Sequence, residues 1–191
     1  MDTLLTVLAL GVGGGELAVC VGDLAASRAD AVVNAANPEL AGGGGVDGAL
    51  HRAAGPGLLA AGQAWVAANG PLPVGGAVAT PGFGLAARWV VHTVGPVWRG
   101  GGHGEDALLA RAYRSCLLAA RDLGAARVDF PAVSCGAYGF PVARAAALGV
   151  AELARGLAGG LVKRARMVIF SAGAAETWAR AAREHLAGPG R

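Results

Sequence analysis

Short apolar runs punctuated by glycine, proline and charge recur along the chain, and their spacing switches between period 2 and period 3.6. Thr3 to Leu10 and Glu16 to Val21 read as strands joined by a turn over Gly11 to Gly15, so the chain opens with a hairpin that Gly22-Asp23 closes. Asp30 to Asn34 (DAVVN) is a short strand of the buried type. The spacing turns helical at Val46 or Asp47 and continues through Ala53. Gly55-Pro56-Gly57 interrupts it, and a second helical segment over Leu58 to Ala68 stops at Asn69-Gly70-Pro71. Ala77 to Thr80 and Trp89 to Thr93 predict two more strands. Glu105 to Leu123 keeps helical period through Leu108, Leu109, Ala112, Cys116 and Leu117 and ends at Gly124. Val128 to Val133 is a further buried strand, and Pro141 opens a helix to about Leu157. Arg166 to Phe170 is the last strand, Ala174 to Leu186 the last helix, and Gly188 to Arg191 a frayed tail.

The opening hairpin followed by alternating strands and helices predicts an α/β fold: a mixed sheet with helices on both faces. No repeat and no change of composition divides the chain, so residues 1–191 read as a single domain with a core of about 3–186. Sheets of this kind bind ligands at the carboxyl ends of their strands. The segments after Val33 and after Val133 both fall at such ends.

Composition narrows the picture. Of 191 residues 54% are apolar and 15% charged, enough for a real core and too apolar for a disordered chain. The 33 glycines follow no three-residue period, which excludes a collagen-like chain. A formal charge of +3 suits an anionic ligand, but the basic residues are dispersed. Lys163, Arg164 and Arg166 cluster and read as a solvated face rather than a nucleic-acid patch. Cys20, Cys116 and Cys135 fit neither a disulfide framework nor a C-x-x-C metal site and read as free thiols of a reducing compartment. Met1 precedes an acidic residue with no basic segment, and glycine, proline or charge breaks every apolar run. A cytoplasmic protein with no signal peptide and no membrane span is therefore expected.

Chemistry concentrates between Val33 and Gly57. Asn34 and Asn37 bracket the end of an apolar run, Gly42 to Gly45 leave the backbone bare, and Asp47 and His51 stand four residues apart at the start of a helix. Glycines let backbone N–H groups turn toward a ligand, and a following helix adds its positive end. A carboxylate and an imidazole beside such a loop suggest hydrolysis of a phosphorylated ligand. The run is not a Walker loop, since no G-K-[ST] follows. Each residue also has a plainer reading. The glycines alone suit a linker, Asp47 a helix cap, His51 packing, and the two asparagines Asx turns before Pro38. Ser134 to Gly139 is a second small-residue loop, in which Tyr138 offers a flat surface for a ribose or base, or simply a tight turn. His92, inside an apolar strand, reads as a satisfied core histidine. Asp23 is a turn residue or an acceptor for an exocyclic base amine.

In order, GDLAASRADAVVNAANPELAGGGGVDGALHRAAGP, then VHTVGPVWRGG, then FPAVSCGAYGFP resemble the macrodomain family, specifically its MacroD-type branch, which includes bacterial O-acetyl-ADP-ribose deacetylases. The resemblance runs from about Thr3 to Leu186. It implies a three-layer α/β/α fold, ADP-ribose as ligand, and no metal or cofactor. Carried over by position, Asp23 accepts a hydrogen bond from the adenine amine, helped by the backbone of Leu24, and Phe170 lies near the adenine. Gly43, Gly44, Gly45 and Val46, with Ser134, Cys135, Gly136, Ala137 and Tyr138, wrap the diphosphate and distal ribose. Asn34 joins the ligand-contacting set, and Asn37, Asp47 and His51 match the branch's catalytic positions.

The implied reaction is hydrolysis of an ester at the distal ribose, in O-acetyl-ADP-ribose or in ADP-ribose joined to Asp or Glu side chains of modified proteins. The alternative is a reader module that binds ADP-ribose without turning it over. Binding-only macrodomains commonly lack the Asn–Asp pair, and Asn37 and Asp47 are both present. A monomer is expected, with no nucleic-acid partner. Cys135 stands where the family often has Thr, and the segment RGGGHGE from Arg99 to Glu105 is unusually rich in glycine.

Overall fold

The structure, a computed structural model, describes residues 4–188. Its elements are β1 (Leu5–Val12), β2 (Gly15–Val21), a short 3-10 helix (Leu24–Ala26), β3 (Ala31–Ala35), α1 (Gly45–Ala54), α2 (Pro56–Asn69), β4 (Ala77–Pro81), β5 (Trp89–Thr93), α3 (Glu105–Asp122), β6 (Arg127–Phe130), α4 (Val142–Ala158), β7 (Arg164–Ile169) and α5 (Ala172–Ala187). The strands form one seven-stranded sheet in the order β1-β2-β7-β6-β3-β5-β4. The five central strands are parallel, and β1 and β4 are antiparallel edges.

Alternation along the strands separates two cores. Leu17, Val19, Ala31, Val33, Val91, Met167 and Ile169 pack against α3, α4 and α5 on one face. Ala18, Cys20, Val32, Val90 and Val168 pack with Leu50, Ala54 and Leu58 of α1 and α2 on the other. The expected three-layer α/β/α arrangement around a mixed sheet is therefore present.

Several boundaries move for local reasons. The hairpin turns at Gly13-Gly14, both at positive φ, so β1 runs on to Val12 rather than stopping at Leu10. The expected start at Thr3 and the tail beyond Gly188 lie outside the described residues. Gly55, at φ 80°, ends α1 and begins α2 at once, and Pro56 at the first helical position moves the start of α2 ahead of Leu58. β6 stops at Phe130, not Val133, because Pro131 brings no N–H to the ladder. Ser171 accepts a bond from Ala174 N and starts α5 before Ala174.

The cluster expected to be a solvated face is only partly so. Arg166 is buried, and its guanidinium grips Asp129 through Nε at 2.8 Å and Nη2 at 2.6 Å, while Ser27 Oγ donates to the same carboxylate at 2.6 Å. Asp129 and Arg166 are register partners on β6 and β7, so the sheet itself brings the pair together.

Adjacent strands β3 and β6 send the chain to opposite faces, β3 toward α1 and β6 toward α4. They pair only at Ala31–Val128 and Val32–Asp129 and then diverge. Such a switch point opens a crevice at the strands' carboxyl ends.

Candidate functional site

A cleft of about 290 Å³ occupies that crevice. One wall is the end of β3 and the glycine loop: Ala35, Ala36, Asn37, Gly43, Gly44, Gly45, Val46 and Asp47. The other is the loop after β6, with Ala132, Ser134, Gly136, Ala137 and Tyr138, and Gly95 closes the floor. A second groove, of about 480 Å³, runs along Ala143, Ala147, Arg180 and Glu184 of α4 and α5.

The glycine loop is held by Asn37. Its Nδ2 donates to Gly42 O at 2.7 Å and its Oδ1 accepts from Ala41 N at 3.1 Å. The loop then feeds α1, whose first turned bond is Gly48 N to Gly44 O. The N–H groups of Gly45, Val46 and Asp47 thus have no intrahelical acceptor, and the positive helix end lies on the cleft wall. Close approach requires glycine at Gly48, where a Cβ would sit 2.5 Å from Gly43 O.

Asp47 is the third residue of α1 and is 5% exposed. Its Oδ1 accepts from Asn34 Nδ2 at 2.7 Å and lies 3.0 Å from His51 Nδ1, which is also 2.9 Å from the Asp47 carbonyl. Oδ1 is therefore anchored from two sides. The other oxygen, Oδ2, is the one next to Gly43, 3.1 Å from where a Cβ there would stand. Asp47 and Gly43 both line the cleft.

Asn34 sits behind this wall. It is fully buried and does not line the cleft, and its Nδ2 spends one N–H on Asp47 and the other on His92 Nδ1 at 3.2 Å. His92 Nε2 lies 2.9 Å from Thr80 Oγ1, which makes His92 the satisfied core histidine that the apolar strand implied. Burial, and secondarily the nearby His51, push the His92 imidazole down to about 4. Three buried polar atoms around the cleft have no partner among the described residues: Asn34 Oδ1, His51 Nε2 and Ser134 Oγ.

The loop after β6 is strained at Ser134, which has φ 65°. Gly95 is what admits it, because a Cβ on Gly95 would fall 2.1 Å from Ser134 Oγ. Trp98 N donates to Tyr138 O at 2.8 Å and the Trp98 ring packs on Phe140 at 4.7 Å, tying the segment after β5 to this loop. The glycine-rich stretch from Arg99 is ordered by Glu105. Its buried carboxylate accepts from the backbone N–H groups of Arg99, Gly101 and His103. Burial alone would raise this carboxyl, but the backbone donors outweigh it and bring it to about 2. Cys135 does not line the cleft. Its thiol points at Val133 O, 3.5 Å away, and burial pushes it up to about 11.

Asp23 and Phe170 lie apart from the cleft, at the carboxyl ends of the neighbouring strands β2 and β7. Asp23 caps the 3-10 helix by accepting from Ala25 N at 2.9 Å, the Leu24 side chain is buried beneath it, and Phe170 is 87% exposed. Sequence reasoning passed over Thr80 and Gly95. A threonine in a strand gives no signal of its own, whereas a glycine two residues beyond β5 was legible as a place of close approach. No helix among the described residues is long and apolar enough to cross a membrane.

Residues 33–149 match the Macro domain family. The chain is 54% identical over 132 residues to a Macro domain-containing protein of Methanosarcina mazei, covering 69% of this chain and 68% of that protein. It is 53% identical over 135 residues to the O-acetyl-ADP-ribose deacetylase of Salmonella gallinarum, covering 71% of this chain and 75% of that one. The solved structure of the Oceanobacillus iheyensis macrodomain with ADP superposes with a TM-score of 0.90 at 35% identity, covering 96% of this chain and 97% of that one.

Proposed function

This chain belongs to the Macro domain family, and on that premise we propose that it binds ADP-ribose and hydrolyses esters at the distal ribose, releasing acetate from O-acetyl-ADP-ribose and freeing ADP-ribose from Asp and Glu side chains. The observation that carries the reading is the Asp47 carboxylate, fixed at the start of α1 by Asn34 and His51 with Oδ2 beside Gly43 on the cleft wall. The kinship with a protein named O-acetyl-ADP-ribose deacetylase and with a macrodomain solved with ADP supports it.

The diphosphate lies between the glycine loop and the loop after β6, where backbone N–H groups and the positive end of α1 offset its charge. Asp23 and Phe170 receive the adenine at the ends of β2 and β7. Asn37 keeps the glycine loop in shape, and Tyr138 borders the distal ribose. Asp47 Oδ2 takes a proton from a water as its oxygen attacks the ester carbonyl carbon. The bond from that carbon to the ribose oxygen then breaks, and the proton passes to the departing ribose hydroxyl. His51 orients the carboxylate from the opposite side. General-base assistance of this kind contributes about 10²- to 10⁴-fold, and the held geometry supplies much of the rest.

Titration calorimetry with ADP-ribose together with acetate release from the acetylated compound tests the reading. Binding with turnover supports a hydrolase, and binding without turnover makes the protein a reader.

A further inference from the structure

Thr80, His92 and Asn34 form a buried polar line across three adjacent strands that ends on Asp47. Asn34 and His92 are register partners on β3 and β5, and Thr80 on β4 stands two pairs along, opposite Val90 and on the same face. All belong to the sheet face that Val32 and Val90 share with α1 and α2. Thr80 is 5% exposed, His92 1% and Asn34 0%, and none of the three lines the cleft.

The donors and acceptors along this line fix one another. Asn34 must present its NH₂ to Asp47, because its carbonyl there would face a carboxylate oxygen. The second N–H of that NH₂ group points at His92 Nδ1, which must accept and so carries no proton. The imidazole hydrogen is then on Nε2 and is donated to Thr80 Oγ1 at 2.9 Å. Resting on the hydrolase reading of Asp47, we propose that Thr80 and His92 are positioning residues: Thr80 Oγ1 accepts the Nε2–H of His92 and so holds the ring whose bare Nδ1 takes the second N–H of Asn34, which steadies the amide that aims its other N–H at Asp47 Oδ1. Packing alone would not call for these groups, since the neighbouring positions Val90 and Val91 fill the same sheet with apolar side chains. The line also leaves Asn34 Oδ1 buried without a partner among the described residues, a cost that an apolar strand would not carry.

Thr80→Val keeps the shape and removes the acceptor. The His92 Nε2–H then has no acceptor, so its proton moves to Nδ1 or the ring turns, and the second N–H of Asn34 loses its acceptor, which loosens the amide that holds Asp47. Loss of alignment of this order lowers kcat for acetate release about tenfold or more. The ADP-ribose dissociation constant stays within about twofold, because Thr80 and His92 do not reach the cleft. Thr80→Ser restores the acceptor and recovers turnover. The ring-nitrogen resonances of His92 in the unliganded protein report the tautomer directly, as Nε2–H in the wild type and altered in Thr80→Val. An Nδ1–H tautomer in the wild type, an unchanged kcat in Thr80→Val, or an equal loss in Thr80→Val and Thr80→Ser would each overturn the proposal. Failure of the wild type to release acetate would overturn the hydrolase reading, and the tautomer readout would still decide the part played by Thr80.

Discussion

Asn34 Nδ2 donates a 2.7 Å hydrogen bond to Asp47 Oδ1, joining the buried end of β3 to the first turn of α1. The bond decides how the two oxygens of Asp47 divide their work. Oδ1 is held from inside the protein, by Asn34 and by His51, and Oδ2 is left beside the glycine loop. A carboxylate at 5% exposure needs such partners, because burying a polar group without hydrogen bonds is costly.

Gly95 and Ser134 set the shape of the cleft floor. A Cβ at Gly95 would stand 2.1 Å from Ser134 Oγ, and Ser134, at φ 65°, has little freedom to retreat. Gly95→Ala is expected to push the loop after β6 into the cleft and weaken ADP-ribose binding about tenfold or more, a loss near 1.4 kcal/mol on the calorimetric scale. Wild-type affinity in this variant would show that the loop gives way freely.

His92 makes the fold acid-sensitive. Its imidazole sits at about 4 in the folded protein against an ordinary 6.5, so below pH 6.5 the unfolded chain binds a proton that the folded chain refuses. Its contribution to stability therefore falls as pH drops from 6.5 to 4, by up to about 3 kcal/mol, and is constant above 6.5. In an NMR titration the His92 ring stays neutral as pH falls through 6.5 and protonates only near 4. Protonation of His92 near pH 6.5 would contradict this.

Arg166 and Asp129 illustrate a pair that is costly to break. Both side chains are at most 6% exposed, and Ser27 completes the carboxylate's bonding. Arg166→Met leaves the Asp129 charge buried without its cation and should lower unfolding stability by about 3–5 kcal/mol. Chemical denaturation measures it, and a change under 1 kcal/mol, about the value of an exposed pair, would mean that the carboxylate finds other partners.

Cys135 is expected to be a poor nucleophile. With its thiol raised to about 11 from an ordinary 9, the thiolate fraction near pH 8 falls roughly a hundredfold, and alkylation by iodoacetamide slows accordingly. Reaction at the rate of a free thiol would show that the loop opens often enough to expose it.

Much of this was legible in the chain. The glycine run, the i,i+4 spacing of Asp47 and His51, and the turn chemistry at Gly55-Pro56 all act locally, so the sequence carries them intact. The ends of β6 and α5 moved because a proline and a serine cap each act on one or two residues, below the reach of periodicity. The surroundings of Asn34 were hidden for a different reason. Its residue type suited the cleft, but its position in the pleat pointed it toward α1, and only the pairing of β3 with β5 sets it beside His92. Thr80 was invisible because its partner is twelve residues away on another strand. The burial of Arg166 likewise depends on Asp129, a register partner that the local charge pattern does not disclose.

The assignment of Asp47 as the group that activates water is tested most directly by comparing the wild type with Asp47→Ala in the same two assays, ADP-ribose calorimetry and acetate release. The account predicts an ADP-ribose affinity within about threefold of wild type and a kcat lower by about 10²-fold or more. Full turnover in Asp47→Ala would contradict it and move the chemistry to another group in the cleft.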